Sequence, residues 1–123
     1  MRALIVDDSR TVRAIIGKTL RELGMEVAEA GNGREGIAQL HAVPGIELVL
    51  VDWNMPEMNG LEFIEAVRGD RAFDAVRIMM VTTETEHAQV MRALKAGANE
   101  YLMKPFAPEV LVAKLGLMNV LGE

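Results

Sequence analysis

Short, continuous apolar runs alternate along this chain with longer segments in which apolar residues recur at the spacing of one helical face. The runs are bounded by turn-forming or polar residues. They predict buried strands at residues 2–6, 26–30, 48–51, 78–81 and 100–103. The first and third runs are apolar without alternation, which is typical of parallel strands covered on both faces.

The segments between and after these runs carry helix signals. Ser9 is a predicted N-cap for the first helix, and Gly24 ends that helix. Asn32-Gly33 leads into a weaker helix that Pro44-Gly45 closes, and Pro108 suits the first turn of the last helix. The predicted helices cover about residues 10–23, 33–43, 60–67, 86–96 and 108–121.

Alternation of strand and helix predicts an α/β fold, in which helices cover both faces of a parallel sheet and the crossovers are right-handed. Five strands suit a doubly wound sheet with the strand order 2-1-3-4-5 and five helices. A chain of 123 residues has the size of one domain, so we expect a single domain over residues 1–123.

Composition narrows the functional classes. The net charge of -5 argues against direct binding of nucleic acid, and the absence of cysteine excludes a disulfide framework and a thiolate metal site. No signal peptide precedes the first strand, and no apolar run approaches the roughly 18 residues that span a bilayer. We therefore expect no membrane insertion and a cytoplasmic location.

Polar residues follow four of the predicted strands: Asp7-Asp8, Asp52, Thr82-Thr83 and Lys104. Ligands of open α/β sheets bind at the carboxyl ends of the strands, so these residues should share one edge. Three carboxylates there would repel one another unless a cation lay between them, which predicts a site for Mg²⁺, or alternatively Mn²⁺, formed by Asp7, Asp8 and Asp52.

The same cluster suits phosphoryl transfer, which needs positioning and charge stabilisation. Asp52 can act as a carboxylate nucleophile that forms an acyl phosphate, while Lys104 and Thr82 contact the phosphoryl oxygens. Taken singly, an aspartate after a strand is usually a turn former or a helix cap, and Thr82 could be an ordinary N-cap. Their occurrence together, each at the end of a separate strand, favours a functional site.

As a set, these motifs resemble a response-regulator receiver domain, and the single-domain chemotaxis type in particular. The resemblance covers essentially the whole chain, in the order and spacing of the family. It is carried by Leu4-Ile5-Val6-Asp7-Asp8-Ser9, Val51-Asp52-Trp53-Asn54-Met55-Pro56, Asn59-Gly60, Met80-Val81-Thr82-Thr83-Glu84 and Tyr101-Leu102-Met103-Lys104-Pro105-Phe106. It implies a flavodoxin-like receiver fold.

The resemblance also implies the chemistry. Asp52 would take a phosphoryl group from the phosphohistidine of a sensor histidine kinase, and the backbone carbonyl of Asn54 would join the metal ligands. The Lys104-Pro105 bond would be cis, as proline permits. Asn54 and Glu84 would tune hydrolysis of the acyl phosphate and make it fairly quick, although Thr83 departs from the small residue usual at its position.

The resemblance also implies how phosphorylation would activate the domain. Thr82 would move towards the phosphoryl oxygens and Tyr101 would turn inward, which couples the site to the face of helix four, strand five and helix five. An output protein would bind that face; on the residues alone, Tyr101 is more simply a rim aromatic. The predicted face comprises Val90, Arg92, Lys95, Tyr101, Val110, Lys114, Leu117 and Leu121.

The fifth helix is unusually apolar. One stripe, Leu111, Leu115 and Met118, should face the sheet. A second stripe, Val110, Leu117 and Leu121, is either a broad shoulder of the core or a docking surface for a partner or a second copy. The protein would accordingly be a monomer or a phosphorylation-dependent homodimer.

We expect no catalytic or metal-binding role for the tryptophan and the two histidines. Trp53 is the only tryptophan, and the simplest role for it is surface packing in its loop, where it would also report metal binding. His41 and His87 lack metal-ligand neighbours and should be exposed to solvent. Glu86-His87 stands where chemotaxis members often carry positive charge, which weakens the case for a flagellar-motor partner.

Several functions compete. The leading one is a stand-alone phosphorylation switch in chemotaxis that is not an enzyme towards external substrates. The second is the receiver part of a longer DNA-binding or enzymatic regulator, although no linker begins before Glu123. A third is a phosphatase working through an aspartyl phosphate. Such an enzyme would need a general acid and a substrate-covering cap, but residue 54 is asparagine and the sequence has no cap-sized insertion. A nucleotide binder of the same fold class would need a glycine-rich loop after strand one, which is absent.

Overall fold

The computed structural model describes residues 1–83 and 87–119. Its strands are β1 (Arg2–Val6), β2 (Glu26–Ala30), β3 (Ile46–Asp52), β4 (Arg77–Thr82) and β5 (Glu100–Met103). Its helices are α1 (Arg10–Glu22), α2 (Gly33–Ala42), α3 (Gly60–Arg68), α4 (His87–Ala96) and α5 (Pro108–Leu117), with a short 3₁₀ turn at Arg71–Phe73.

The strands form one parallel sheet in the order β2-β1-β3-β4-β5, which confirms the predicted fold class and strand order. The register aligns the carboxyl ends of neighbouring strands: Val6 pairs with Val51, Asp52 with Val81, and Thr82 with Met103. Residues that follow β1, β3, β4 and β5 are therefore brought to the same edge.

Helices cover both faces of the sheet, and successive strand residues point to opposite sides. On one face Ile5 and Leu50 pack with α1 and α5, whose buried residues include Ile16 and Leu111. On the other face the strands pack against α2, α3 and α4, with Phe63 fully buried among them. Burial on both sides explains why β1 and β3 are apolar without alternation.

Capping side chains begin the helices where the sequence indicates. Ser9 Oγ accepts a hydrogen bond from the Val12 N–H at 3.2 Å, as predicted. Asn59 and Glu62 form a reciprocal capping box at the start of α3. Gly24 has φ 88°, a left-handed conformation that suits glycine directly after α1.

The structure corrects several boundaries. Strands β3 and β4 are longer than predicted, because the sheet pairs the polar residues Arg77, Asp52 and Thr82 as well as the apolar ones. The prediction that the last helix runs to about Leu121 is wrong: α5 ends at Leu117, and Asn119 has φ 59°, which stops the helix. Leu121 and Glu86, the predicted start of α4, lie outside the described residues.

The 3₁₀ turn before β4 was not predicted. Asp70 caps it by accepting a hydrogen bond from the Ala72 N–H at 3.0 Å. Within residues 1–83 and 87–119, no helix is long and apolar enough to cross a membrane.

Candidate functional site

Three carboxylates meet at the carboxyl edge of the sheet. Asp7 and Asp8 follow β1, and Asp52 is the last residue of β3. One carboxylate oxygen from each lies within 4.8 Å of the others, close enough to hold a single cation. Asp7 and Asp52 are buried and Asp8 is exposed, so the cluster opens to solvent on the side of Asp8.

Lys104, which follows β5, reaches into this cluster. Its Nζ lies 3.0 Å from Asp7 Oδ2 and 3.3 Å from Asp52 Oδ1. The Lys104 side chain is 17% exposed, so both ion pairs are largely shielded from water. The Lys104-Pro105 peptide bond is cis, as predicted.

Asp7 is held by its backbone and by its side chain. Its N–H donates to the carbonyl oxygen of Ala30 at 3.1 Å. Its Oδ1 accepts a hydrogen bond from the Ser9 N–H at 2.8 Å, while Oδ2 faces Lys104. These contacts orient a carboxylate that would otherwise be costly to bury.

Burial and the neighbouring charges act on the titration of the site. Burial, followed by the charge of Asp7, raises the pKa of Asp52 above its ordinary value, although Lys104 opposes the shift. Burial alone would lower the pKa of Lys104, but its hydrogen bonds and ion pairs with Asp7 and Asp52 outweigh burial and raise that pKa. Among the described residues, the three clustered carboxylates have one base, Lys104, as an ion-pair partner, so further positive charge would stabilise them.

A close backbone approach shapes the loop after Asp52. The Gly60 N–H donates to the Trp53 carbonyl oxygen at 2.9 Å. A Cβ at residue 60 would lie 2.5 Å from the Asp52 carbonyl oxygen and 2.9 Å from Trp53 Cα. Glycine is therefore required here by space, and the start of α3 is packed directly against the residue that carries the central carboxylate.

Comparison with known proteins identifies this arrangement. Residues 3–116 match the sequence profile of the response regulator receiver domain. The chain belongs to that family. It is accordingly a phosphorylation-activated response regulator of two-component signal transduction, and the resemblance drawn from the sequence is confirmed.

The relatives carry chemotaxis names. Chemotaxis protein CheY1 of Helicobacter pylori strain J99 is 50% identical over 116 residues, which are 94% of this chain and 94% of that protein. A CheY homolog of Campylobacter jejuni is 48% identical over 123 residues, 99% of this chain and 93% of that protein. The solved structure of Vibrio cholerae CheY4 has a TM-score of 0.88 at 37% identity and covers 94% of this chain and 96% of its own.

Thr82 ends β4 and Thr83 follows it, so both lie at the edge of the sheet that carries the acidic cluster. Thr82 is 2% exposed, and its carbonyl oxygen accepts a hydrogen bond from the Lys104 N–H at 2.8 Å. Thr83 is exposed beside the site. Asn54 is exposed in the loop after β3, and Glu84 lies outside the described residues.

Trp53 corrects one expectation. It is only 9% exposed and belongs to the core cluster on the α2–α3–α4 side of the sheet, so surface packing in its loop is wrong. The Trp53 carbonyl oxygen accepts a hydrogen bond from the Gly60 N–H, so the Trp53 backbone is held close to the start of α3, whose Phe63 and Ile64 belong to the same core cluster. His41 is exposed as expected and lies against the Phe73 ring with centroids 5.1 Å apart; the side chain of His87 lies outside the described residues.

Tyr101 is half-buried on β5, with a cation above its ring. Lys114 Nζ lies 4.1 Å from the ring centroid and 3.2 Å from Glu100 Oε1. The Lys114 and Glu100 side chains are 23% and 18% exposed, so this ion pair is itself partly shielded. Sequence reasoning placed Tyr101 and Lys114 on the same face but missed the role of Glu100.

The two stripes of α5 separate as predicted. Leu111, Leu115 and Met118 are buried against the sheet. Val110 is 45% exposed and Leu117 is 72% exposed, so these two residues do not form a shoulder of the core. Of the other residues predicted for the output face, Arg92 and Lys95 are exposed, Val90 is half-buried, and Leu121 lies outside the described residues.

Proposed function

We propose that Asp52 is the phosphoacceptor of this receiver domain and that a sensor histidine kinase supplies the phosphoryl group. The observation that carries the proposal is the position of the Asp52 carboxylate. It lies within 4.8 Å of Asp7 and Asp8 oxygens and 3.3 Å from Lys104 Nζ, at the open carboxyl edge of the sheet.

In the proposed step a carboxylate oxygen of Asp52 attacks the phosphorus of a phosphohistidine. A P–O bond forms and the P–N bond breaks, and the imidazole nitrogen keeps the electron pair and takes a proton from water. The Lys104 ammonium would weaken its ion pair with Asp52 and contact the incoming phosphoryl oxygens instead. The Thr82 hydroxyl would be a further hydrogen-bond donor to them.

The acidic cluster suits a hard divalent cation, and we propose Mg²⁺, with Mn²⁺ able to replace it. Asp7, Asp8 and Asp52 would be the carboxylate ligands, and the Asn54 backbone carbonyl would be a further one. The donor set fits, because all three side chains present oxygen within a 4.8 Å cluster. When bound, the cation neutralises the cluster and binds phosphoryl oxygens.

A groove of about 340 Å³ beside the site has room for a few side chains of the kinase domain that presents the phosphohistidine. The walls are mostly apolar, which suits contact with another protein. Its lining residues are Val12, Ile15, Thr83, Lys104, Pro105 and Phe106.

We propose that phosphorylation acts through Thr82 and Tyr101 on the face formed by α4, β5 and α5. That face exposes Val110 and Leu117 on α5 and the basic residues Arg92 and Lys95 on α4. Because the relatives are named chemotaxis proteins, an output protein of chemotaxis is the proposed partner. On this proposal residues 1–123 act as one switch domain, without turnover of external substrates.

The phosphorylation step can be tested with a small phosphodonor, because the kinase is not needed to show the acceptor. Purified protein is incubated with acetyl phosphate and Mg²⁺, and the intact mass is followed by mass spectrometry. The proposal predicts that one phosphoryl group is added to the wild-type protein with Mg²⁺. It predicts no addition in EDTA and none to the Asp52→Asn variant. Equal labelling of that variant would refute Asp52 as the acceptor.

Self-association is the alternative output, and light scattering separates the two. The solution mass is measured with Mg²⁺ before and after addition of beryllofluoride as a phosphoryl mimic, with Trp53 fluorescence showing that the mimic has bound. An unchanged monomer supports docking of another protein. A doubling of mass would instead indicate a phosphorylation-dependent homodimer.

A further inference from the structure

Arg13 contacts the acidic loop from the side of α1. It stands one turn into the helix, where its N–H donates to the Ser9 carbonyl oxygen at 3.0 Å. Its guanidinium Nη1 donates to the backbone carbonyl oxygen of Asp7 at 2.5 Å. That carbonyl belongs to the peptide that joins Asp7 to Asp8, so Arg13 sets the orientation of the link between two of the clustered carboxylates.

Glu29 holds Arg13 in place. Glu29 Oε1 accepts a hydrogen bond from Arg13 Nε at 2.9 Å, and its other oxygen lies 3.8 Å from Arg21 Nη2. Glu29 belongs to β2 and pairs with Ile5 of β1, two residues before Asp7. The Arg13 side chain is only 16% exposed, so its two hydrogen bonds are made largely out of water and fix the planar guanidinium.

Arg13 completes the set of contacts on Asp7. The Asp7 N–H donates to Ala30, Oδ1 accepts from Ser9, and Oδ2 pairs with Lys104. The carbonyl oxygen is the remaining polar group, and Arg13 satisfies it. Loss of Arg13 would leave the carbonyl of a residue that is 2% exposed without its partner and would release the peptide plane before Asp8.

We propose that Arg13, anchored by Glu29, is a positioning residue for the divalent-cation site. It would act by fixing the Asp7–Asp8 peptide so that both carboxylates face one cation. This inference rests on the proposed metal site and adds residues on α1 and β2 that touch neither the cation nor the phosphoryl group.

The direction of the change in Mg²⁺ affinity distinguishes a positioning role of Arg13 from a purely electrostatic one. A guanidinium near a cation site repels the cation, so removing its charge alone should strengthen Mg²⁺ binding. If Arg13 acts by positioning, removing it should weaken binding in spite of the favourable change in charge. Mutation of residues that hydrogen-bond to metal ligands typically lowers metal affinity by about 10–100-fold. We expect the lower end of that range for an arginine that holds the backbone.

The test is a titration of the metal-free protein with MgCl₂ alone, read by Trp53 fluorescence and by calorimetry. The variants are Arg13→Gln, Arg13→Lys and the matched control Arg10→Gln. Arg10 is an exposed arginine at the start of the same helix, so its substitution removes the same charge without a contact to Asp7. Circular dichroism and urea unfolding show whether each variant is folded.

We expect Arg13→Gln to bind Mg²⁺ about 10-fold more weakly and Arg10→Gln to bind as tightly as wild type or tighter. Arg13→Lys keeps the charge but has one nitrogen for two acceptors, so we expect it to bind more weakly than wild type as well. It provides a second test if Arg13→Gln does not fold. Wild-type affinity in the folded Arg13 variants would overturn the inference and leave the metal site standing, whereas no Mg²⁺ response from wild type would overturn the metal site and this inference with it.

Discussion

Replacing Asp52 by asparagine should make the metal-free protein more stable, although it removes the proposed phosphoacceptor. The reason is the charge of the cluster. At an effective dielectric constant of about 20, like charges 4.8 Å apart, the limit for Asp7 and Asp52 oxygens, repel by about 3.5 kcal/mol. Lys104 at 3.3 Å attracts Asp52 by about 5 kcal/mol in the same medium.

These two terms nearly cancel once the weaker repulsion from the exposed Asp8 is added. The cost of burying the Asp52 charge then remains, in agreement with the raised pKa of that carboxyl. An asparagine has nearly the same shape and keeps an oxygen for Lys104. We therefore expect Asp52→Asn to raise the free energy of unfolding by about 1–2 kcal/mol at neutral pH without metal.

The pH dependence has a defined sign. Because folding raises the pKa of Asp52, its protonated form favours the folded state, and that advantage is lost as the pH rises through the raised pKa. The stability gap between Asp52→Asn and wild type should therefore be present at neutral pH. It should close as the pH falls below the ordinary value of 3.8.

The assay is urea unfolding followed by far-ultraviolet circular dichroism in EDTA. Glu47→Gln is the matched control, because it removes one acidic charge from an exposed site on β3 outside the cluster. Mg²⁺ at 100 times its Kd should stabilise wild type by about 2.7 kcal/mol and stabilise Asp52→Asn by less, which narrows the difference in stability between them. An Asp52→Asn variant that is less stable than wild type in EDTA would refute this reasoning.

Three further predictions follow from other contacts. Gly60→Ala should lower the free energy of unfolding by about 2–3 kcal/mol because its Cβ would meet the Asp52 backbone, whereas Gly116→Ala in open space on α5 should raise it by about 0.5–1 kcal/mol; urea unfolding compares them. Arg68→Met should cost about 2–3 kcal/mol in the same assay, because Arg68 donates to the carbonyls of Val76 at 2.7 Å and Gly97 at 3.0 Å; an unchanged midpoint would contradict this. Thr82→Ala should still be phosphorylated at Asp52 but should show a smaller beryllofluoride-induced shift of the single tyrosine signal in NMR, and an equal shift would exclude Thr82 from the switch.

Much of the fold could be predicted because burial leaves a direct trace in the sequence. The apolar runs of β1 and β3 and the cap at Ser9 are local signals, and the structure confirms both. The end of α5 was misplaced, because the apolar residues continue past Leu117 while the backbone turns at Asn119. An apolar pattern shows what can be buried but not where a helix stops.

The candidate site likewise has features that the sequence could predict and features that it could not. The acidic residues and Lys104 could be predicted to converge, because parallel strands deliver their ends to one edge. Arg13 and Gly60 were missed as site residues. Their roles depend on a guanidinium reaching a carbonyl and on two backbones in close approach, and neither contact has a periodic signal.

The most direct test of the central claim is to locate the phosphoryl group on the chain. The protein is phosphorylated with acetyl phosphate and Mg²⁺, reduced with borohydride so that the acyl phosphate becomes an alcohol, digested and sequenced by mass spectrometry. We predict one reduced residue, at Asp52, that is absent when EDTA replaces Mg²⁺. Reduction at Asp7 or Asp8 instead, or labelling that is independent of the metal, would contradict the account.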